Sequence, residues 1–179
     1  MQKIINDGKV DTALFTDKDL ILFGEAHGNK RDEDLVDRII RDWKPDYVLV
    51  EALGDLKLMN NALKQQAFRK PSRDLSYEDF TNKHWIAKAL NHDIPFIGME
   101  YTASDTSWLS LVDSFKLRED HFVNVIECYR DKGKILAICG DTHLRTVACS
   151  ELGGISPLYT RFGNSAKTSI IRTLHGEIE

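Results

Sequence analysis

Four short apolar runs dominate the sequence, and an acidic residue follows each of them within two positions. The runs are Leu20 to Phe23, Tyr47 to Val50, Ile94 to Met99 and Ile135 to Cys139. They are largely apolar at successive positions and too short for ordinary helices, which is typical of strands buried on both faces of a parallel sheet. Helical patterns separate them, so we predict an α/β fold with a mainly parallel central sheet flanked by helices on both faces.

The segments between the runs carry helix signals. Asn29 is a predicted N-cap for a helix that Pro45 ends, and a long helix is predicted over roughly Asp113 to Lys132, with Gly133 as its left-handed C-terminal residue. Further helices are predicted around Leu56 to Ala67 and from Ser76 to Leu90, and a last strand within residues 167–174. No segment marks a boundary, so residues 1–179 are predicted to form one domain with its motifs in residues 20–144.

Composition limits the classes of partner. The net charge of −4 and the isoelectric point near 5.9 offer no general attraction to nucleic acid or to anionic membranes. No stretch approaches the ~20 apolar residues of a membrane span, and no signal peptide is visible. Three cysteines without CxxC spacing suit a reducing compartment. We therefore expect a cytoplasmic protein that acts on a small molecule or peptide; the oligomeric state stays open, a homo-oligomer included.

Polar residues follow the apolar runs at the same relative place. In a parallel sheet the carboxyl ends of the strands meet at one edge, where ligands bind. A single acid there is often a turn or cap residue, and a single histidine is often structural. The repeated pattern Gly-acid-x-His, at Gly24 to His27 and again at Gly140 to His143, favours a functional site. The residues predicted at this edge are Glu25, His27, Glu51, Glu100, Tyr101, Asp141 and His143.

Arg118 is an independent candidate on the long helix. It lies one turn before Phe122, on the face predicted to pack against the sheet. An unpaired guanidinium there would be costly, so the strand-end carboxylates are its expected partners, although it could also extend to solvent.

Motifs of phosphate loops, dinucleotide-binding folds, zinc proteases and serine hydrolases are absent.

Together these motifs resemble the superfamily that joins the erythromycin esterases, the ChaN-type haem-uptake proteins and the TraB/TIKI proteins. Its members have Gly-Glu-x-His or Gly-Glu-x-x-His after the first strand, a glutamate after the second, an arginine on the helix before the last core strand, and Gly-[Asn/Asp]-x-His after that strand. The matching residues are Gly24 to His27, Glu51, Arg118 and Gly140 to His143. The chain is shorter than the larger esterases, so macrolide specificity is not carried over.

The resemblance implies a hydrolase of ester, amide or peptide bonds. His27 is the expected general base, oriented by Glu25 or Glu51, while His143 would protonate the leaving group and Arg118 would stabilise the oxyanion or hold the carboxylates. Glu100, Tyr101 and Asp141 are expected to contact the substrate. In a metal-dependent variant, Glu25, His27 and His143 would bind Mn, Zn or Co.

Two alternatives from other classes remain open at this point. The first is a haem or small-ligand binding protein of the ChaN type without turnover, with Tyr101 or a histidine as ligand. The second is a protein of a mobile element or of host interaction that retains the fold and uses the pocket differently.

Overall fold

A central sheet of six strands organises the chain. The computed structural model describes residues 5–6, 9–26, 29–51, 92, 94–101, 109–172 and 177–178. A separate antiparallel hairpin pairs β1 (Ile5–Asn6) with β2 (Lys9–Val10). The strands of the central sheet are β3 (Leu20–Glu25), β4 (Tyr47–Val50), β5 (Phe96–Gly98), β6 (Ile135–Gly140), β7 (Thr168–Arg172) and β8 (Glu177–Ile178).

The sheet is almost entirely parallel. Its order is β5-β4-β6-β3-β7-β8, and every neighbouring pair from β5 to β7 runs parallel, while β8 is antiparallel to β7. This arrangement confirms the predicted fold class. Strand β6 lies between β3 and β4, so the two Gly-acid-x-His segments begin on adjacent strands.

Three helices connect the described strands: α1 (Lys30–Trp43), α2 (Leu111–Arg130) and α3 (Pro157–Phe162). Short 3₁₀ turns occupy Thr12–Phe15, Asp141–Leu144 and Ser150–Leu152. The helices predicted around Leu56 to Ala67 and from Ser76 to Leu90 lie outside the described residues. Within the described part of the chain, none of the helices combines the length and apolar character that a bilayer crossing requires.

Helix boundaries follow local capping. The Asn29 side chain accepts a hydrogen bond from the Arg31 N–H at 3.0 Å, which confirms the predicted start of α1. Helix α2 begins two residues before the predicted Asp113, because the Ser110 hydroxyl accepts from the Asp113 N–H at 3.1 Å. It ends at Arg130, before the predicted Lys132.

The prediction for Gly133 is wrong. The residue that caps α2 is Asp131, in the right-handed helical region, and Gly133 lies two positions further with φ of 153°. A Cβ atom at Gly133 would overlap the side chain of Asp46, whose carboxylate accepts the Lys134 N–H at 2.7 Å. Glycine is therefore needed for a close approach rather than for a left-handed cap.

The core forms one apolar layer on each face of the sheet. On β3, Ile21 and Phe23 pack in the layer that contains α1, whereas Leu20 and Leu22 pack in the layer that contains α2 and α3. Burial on both faces explains why the strand sequences are apolar at successive positions. Packing on both faces holds the sheet in place, and the sheet in turn fixes the backbone positions of the residues at its carboxyl edge.

Candidate active site at the carboxyl edge of the sheet

The strand-end carboxylates meet at one edge, as predicted. Glu25 ends β3 and pairs in register with Gly140, and the Glu51 N–H extends the ladder by donating to the Ile138 carbonyl at 2.9 Å. Exposed fractions are 7% for Glu25 and Glu51 and 3% for Asp141. The edge therefore holds several acidic side chains in nearly complete burial.

Arg118 joins two of these carboxylates. Its Nε and Nη2 donate to the two oxygens of Glu100 at 2.8 and 2.6 Å, and Nη2 also donates to Glu51 Oε1 at 2.7 Å. Burial disfavours the charged guanidinium, but the contacts with Glu100 and Glu51 outweigh it and raise the pKa of Arg118. The predicted pairing of Arg118 with strand-end carboxylates is confirmed.

Glu51 is held on both oxygens. Oε1 accepts a hydrogen bond from Arg118 Nη2 and lies 3.1 Å from His143 Nε2. Oε2 accepts a hydrogen bond from the Gly140 N–H at 2.6 Å. Burial opposes ionisation, but hydrogen bonds from His143 and Gly140 and the nearby positive charges lower the pKa from 4.5 to about 2. Glu51 is therefore a carboxylate at neutral pH.

His143 lies between two acids and is only 2% exposed. Its Nε2 faces Glu51 and its Nδ1 faces Glu119 Oε1, both at 3.1 Å. Burial disfavours the charged ring, but these two carboxylates raise its pKa from 6.5 to about 9. At neutral pH the ring is thus an imidazolium that donates from both nitrogens.

Asp141 pairs with the end of another strand. Arg172, the last residue of β7, donates from Nε and Nη2 to the two Asp141 oxygens at 3.2 and 2.7 Å. A Cβ atom at Gly24 would lie 3.0 Å from the Asp141 Cα. Gly24 therefore makes room for the neighbouring segment of this chain, in addition to any closeness to a ligand.

Tyr101 lies beside Glu100 at the same edge. The Tyr101 N–H donates to Glu100 Oε1 at 3.0 Å, and its ring meets the His121 ring edge-on with centroids 5.4 Å apart. His27 lies outside the described residues, and so does the prediction that it faces His143. The described chain before it ends at Ala26, whose N–H donates to Asp32 at 2.8 Å.

The metal-dependent variant stays a prediction, because His27, one of its three expected ligands, lies outside the described residues. Among residues 5–6, 9–26, 29–51, 92, 94–101, 109–172 and 177–178, no three His, Cys, Asp or Glu side chains are grouped so that they could hold a metal ion. Both nitrogens of His143 are already directed at carboxylates.

Three charged residues of this edge were not predicted: the buried Glu119 and Arg145, and the partly buried Arg172. Glu119 did carry a signal, because it lies three residues before Phe122 and seven before Ile126, on the same buried stripe of α2. Arg145 lies two residues after the second motif, and Arg172 ends the last parallel strand. Both positions depend on contacts with distant segments, which no local pattern reveals.

Comparison with known proteins gives a likeness of fold. No protein-family model matches the sequence, and no curated protein matches it. A solved structure described as "Bacterial protein toxins" is similar, with a TM-score of 0.59, 18% identity and coverage of 94% of this chain and 37% of that one. The chain thus spans 37% of that protein's length.

A second solved structure, described as "The structure of the type III effector HopBA1", has a TM-score of 0.49 and 12% identity, covering 88% of this chain and 85% of that one. At 18% identity the first comparison concerns the fold alone.

Proposed function

We propose that the carboxyl edge is the active site of a hydrolase that cleaves ester, amide or peptide bonds with an activated water. The observation that carries the proposal is the chain of contacts Glu100–Arg118–Glu51–His143, in which Glu51 and His143 are buried and the other two residues are partly buried. Apolar residues usually stabilise a fold as well as buried ion pairs do, so such an array is poorly explained by stability alone. Displaced pKa values cluster at functional sites, and Glu51 and His143 both have them.

His27 is the proposed general base. It lies two residues after Glu25, which is buried at the end of β3, so the sequence places it at the same edge. A histidine with a near-neutral pKa suits removal of a proton from water. Glu51 is ionised and bound on both oxygens, so its proposed role is to orient its partners rather than to take a proton.

Arg118 is the proposed oxyanion donor. Its side chain is 28% exposed, and its Nε and Nη2 bind the carboxylates. The remaining nitrogen, Nη1, makes no hydrogen bond to the residues that the structure describes. A donor held in place at a partly buried edge stabilises developing negative charge.

The contacts of His143 favour a structural task in this site. Both ring nitrogens are directed at carboxylates, and protonation of a leaving group would require breaking one of these contacts. We therefore assign His143 to holding Glu51. The superfamily of erythromycin esterases, ChaN-type and TraB/TIKI proteins remains the proposed family, on the motifs of the sequence.

One comparison favours a second candidate function. The fold is similar to that of a chain described as "Bacterial protein toxins", which suits a protein of host interaction or of a mobile element. The two candidates are compatible, because a hydrolase can act on a host molecule. The haem-binding alternative has Tyr101 as its candidate ligand and remains a prediction from the sequence.

Assays of the full chain against a panel of ester, amide and peptide substrates test the proposal. We expect hydrolysis that falls at least about 100-fold in His27→Ala, the size of a general-base contribution, and that is unchanged in Glu127→Gln, a variant of an exposed ion pair on α2. Unchanged turnover in His27→Ala, or no turnover of any substrate, would refute it. A Soret band after haem addition would instead support the binding alternative.

A further inference from the structure

Glu119 lies at the inner end of the charged array and is fully buried. Its Oε1 faces His143 Nδ1 at 3.1 Å and accepts from Arg145 Nη1 at 2.6 Å, and its Oε2 accepts from Arg145 Nη2 at 3.2 Å. It thus contacts His143 on the side opposite Glu51. Glu119 reaches no solvent, so its interactions are with this chain alone.

Arg145 connects Glu119 to the backbone of the segment that follows β6. Its guanidinium donates to the carbonyl oxygens of Thr142 at 2.8 Å, Leu152 at 2.6 Å and Gly154 at 2.9 Å. Arginine suits this task because its planar fork presents several donors in fixed directions. One side chain thereby ties the segment from residue 142 to residue 154 to α2.

The ring of His143 is enclosed on its remaining sides. Phe115 stacks on it, with centroids 5.1 Å apart and planes at 25°, and Phe122 meets it edge-on at 5.2 Å. Its backbone carbonyl accepts a hydrogen bond from the Ser156 hydroxyl, and Ser156 also caps α3. Packing restricts the ring plane, and the contacts of Nδ1 with Glu119 and of Nε2 with Glu51 distinguish the observed orientation from the flipped one.

We propose that Glu119 and Arg145 are a positioning pair that holds His143 with its Nε2 directed at Glu51, and thereby fixes the carboxylate that binds Arg118. This inference rests on the proposed hydrolase site for its catalytic consequence. Neither residue contacts the solvent-accessible side of the edge, so neither is a catalytic residue. The partner that orients a histidine decides which nitrogen faces the working side, and losing such a partner costs activity even when the histidine is intact.

Long-range ¹H–¹⁵N correlation spectra of the ¹⁵N-labelled full chain at pH 7.5 test the pair. The His143 signals are identified by their loss in His143→Gln. We expect both ring nitrogens of wild-type His143 to be protonated, with N–H protons that exchange slowly with solvent. In Glu119→Gln the Nδ1–H signal should shift and exchange at least about tenfold faster, whereas Glu127→Gln should match the wild type.

Two results would overturn the proposal. One is a wild-type His143 ring with an unprotonated nitrogen, a measurement that needs no variant. The other is a folded Glu119→Gln protein with wild-type ring signals. If Glu119→Gln does not fold, Arg145→Lys replaces it, because lysine keeps the charge but cannot reach Glu119 and three carbonyls together. Unchanged ring signals in that variant would equally reject the pair.

Activity separates this inference from the proposed function. In a chain that hydrolyses a substrate, Glu119→Gln should lower kcat about 10- to 100-fold, the range known for outer partners of metal-bound histidines, with KM within about twofold. A chain without activity but with the expected ring signals rejects the hydrolase alone. An active chain whose kcat is unchanged in Glu119→Gln rejects the positioning pair alone.

Discussion

The two edges of the central sheet use charged residues in different ways. At the amino edge, Lys18 Nζ donates to the Ala166 carbonyl at 2.7 Å and Lys134 Nζ donates to the Trp43 carbonyl at 2.6 Å. The ion pair of Arg130 with Asp19 is long, at 3.6 Å, and partly exposed. At the carboxyl edge, by contrast, Glu119 contacts both His143 and Arg145, and all three residues are buried.

The difference shows what each edge requires. Charges at the amino edge bind turn carbonyls close to water, where each contact has a modest net value. Charges at the carboxyl edge have lost their hydration, so each depends on its partner, and removal of one leaves another unpaired and buried. The same strands and helices support both edges, so the contrast comes from side chains and not from the fold.

The largest expected effect is a loss of stability at the carboxyl edge. Glu119→Leu removes the partner of both His143 and Arg145, and we expect the free energy of unfolding to fall by about 3–5 kcal/mol. Urea unfolding followed by circular dichroism measures it. The matched variant Glu127→Leu, on the exposed part of the same helix, should change it by less than about 1 kcal/mol. Equal effects of the two variants would remove the contrast.

The second prediction is a dependence on pH at both ends of the range. The folded pKa of Glu51 is lowered to about 2, so its stabilisation is present above pH 4.5 and is lost as the pH falls toward 2. The folded pKa of His143 is raised to about 9, so its stabilisation is complete below pH 6.5 and is lost as the pH rises through 9.

The size of the alkaline loss follows from the same values. The rise of the His143 pKa from 6.5 to about 9 corresponds to roughly 3 kcal/mol of stability. This energy is not added to the stabilisation from Glu51, because both include the contact between Glu51 and His143. Urea unfolding of the wild type between pH 5 and 10 should show the loss, and His143→Gln should lack it. A wild-type stability that is constant from pH 6.5 to 9 would contradict this prediction.

The smallest expected effect lies at the amino edge. Lys18→Met removes one hydrogen bond to the carbonyl of an exposed residue, which water can replace. We expect a loss of about 1 kcal/mol or less in the same unfolding assay. A loss as large as that of Glu119→Leu would mean that the amino edge also depends on specific charged partners.

Much of the fold could be predicted because its signals are local. The run Tyr47 to Val50 matches β4 at both ends, and the Asn29 cap sets the start of α1. The prediction for the first strand was too short, since β3 continues through Glu25, which lies opposite Gly140 in β6. The third was too long, since β5 covers only Phe96–Gly98. Strand ends depend on the neighbouring strand, which the local pattern does not contain.

In the candidate site, too, some residues could be predicted from local patterns and others could not. Local patterns predicted which acids end the strands and that Arg118 would meet them. The partners Glu119, Arg145 and Arg172 were missed, because each contact joins segments that the fold alone brings together. The Asp141–Arg172 pair, for example, exists because β7 lies beside β3 and β3 lies beside β6.

The sequence by itself determined the four central strands and the helices α1 and α2, the burial of the strands on both faces, and the meeting of Glu25, Glu51, Glu100 and Asp141 at one edge. These follow from hydrophobic periodicity and from the direction of parallel strands. Only the tertiary structure decided which charge pairs with which, and that His143 lies between two carboxylates. The physical reason is that a pairing in the interior is selected by distance and burial, and both are set by segments far apart in the chain.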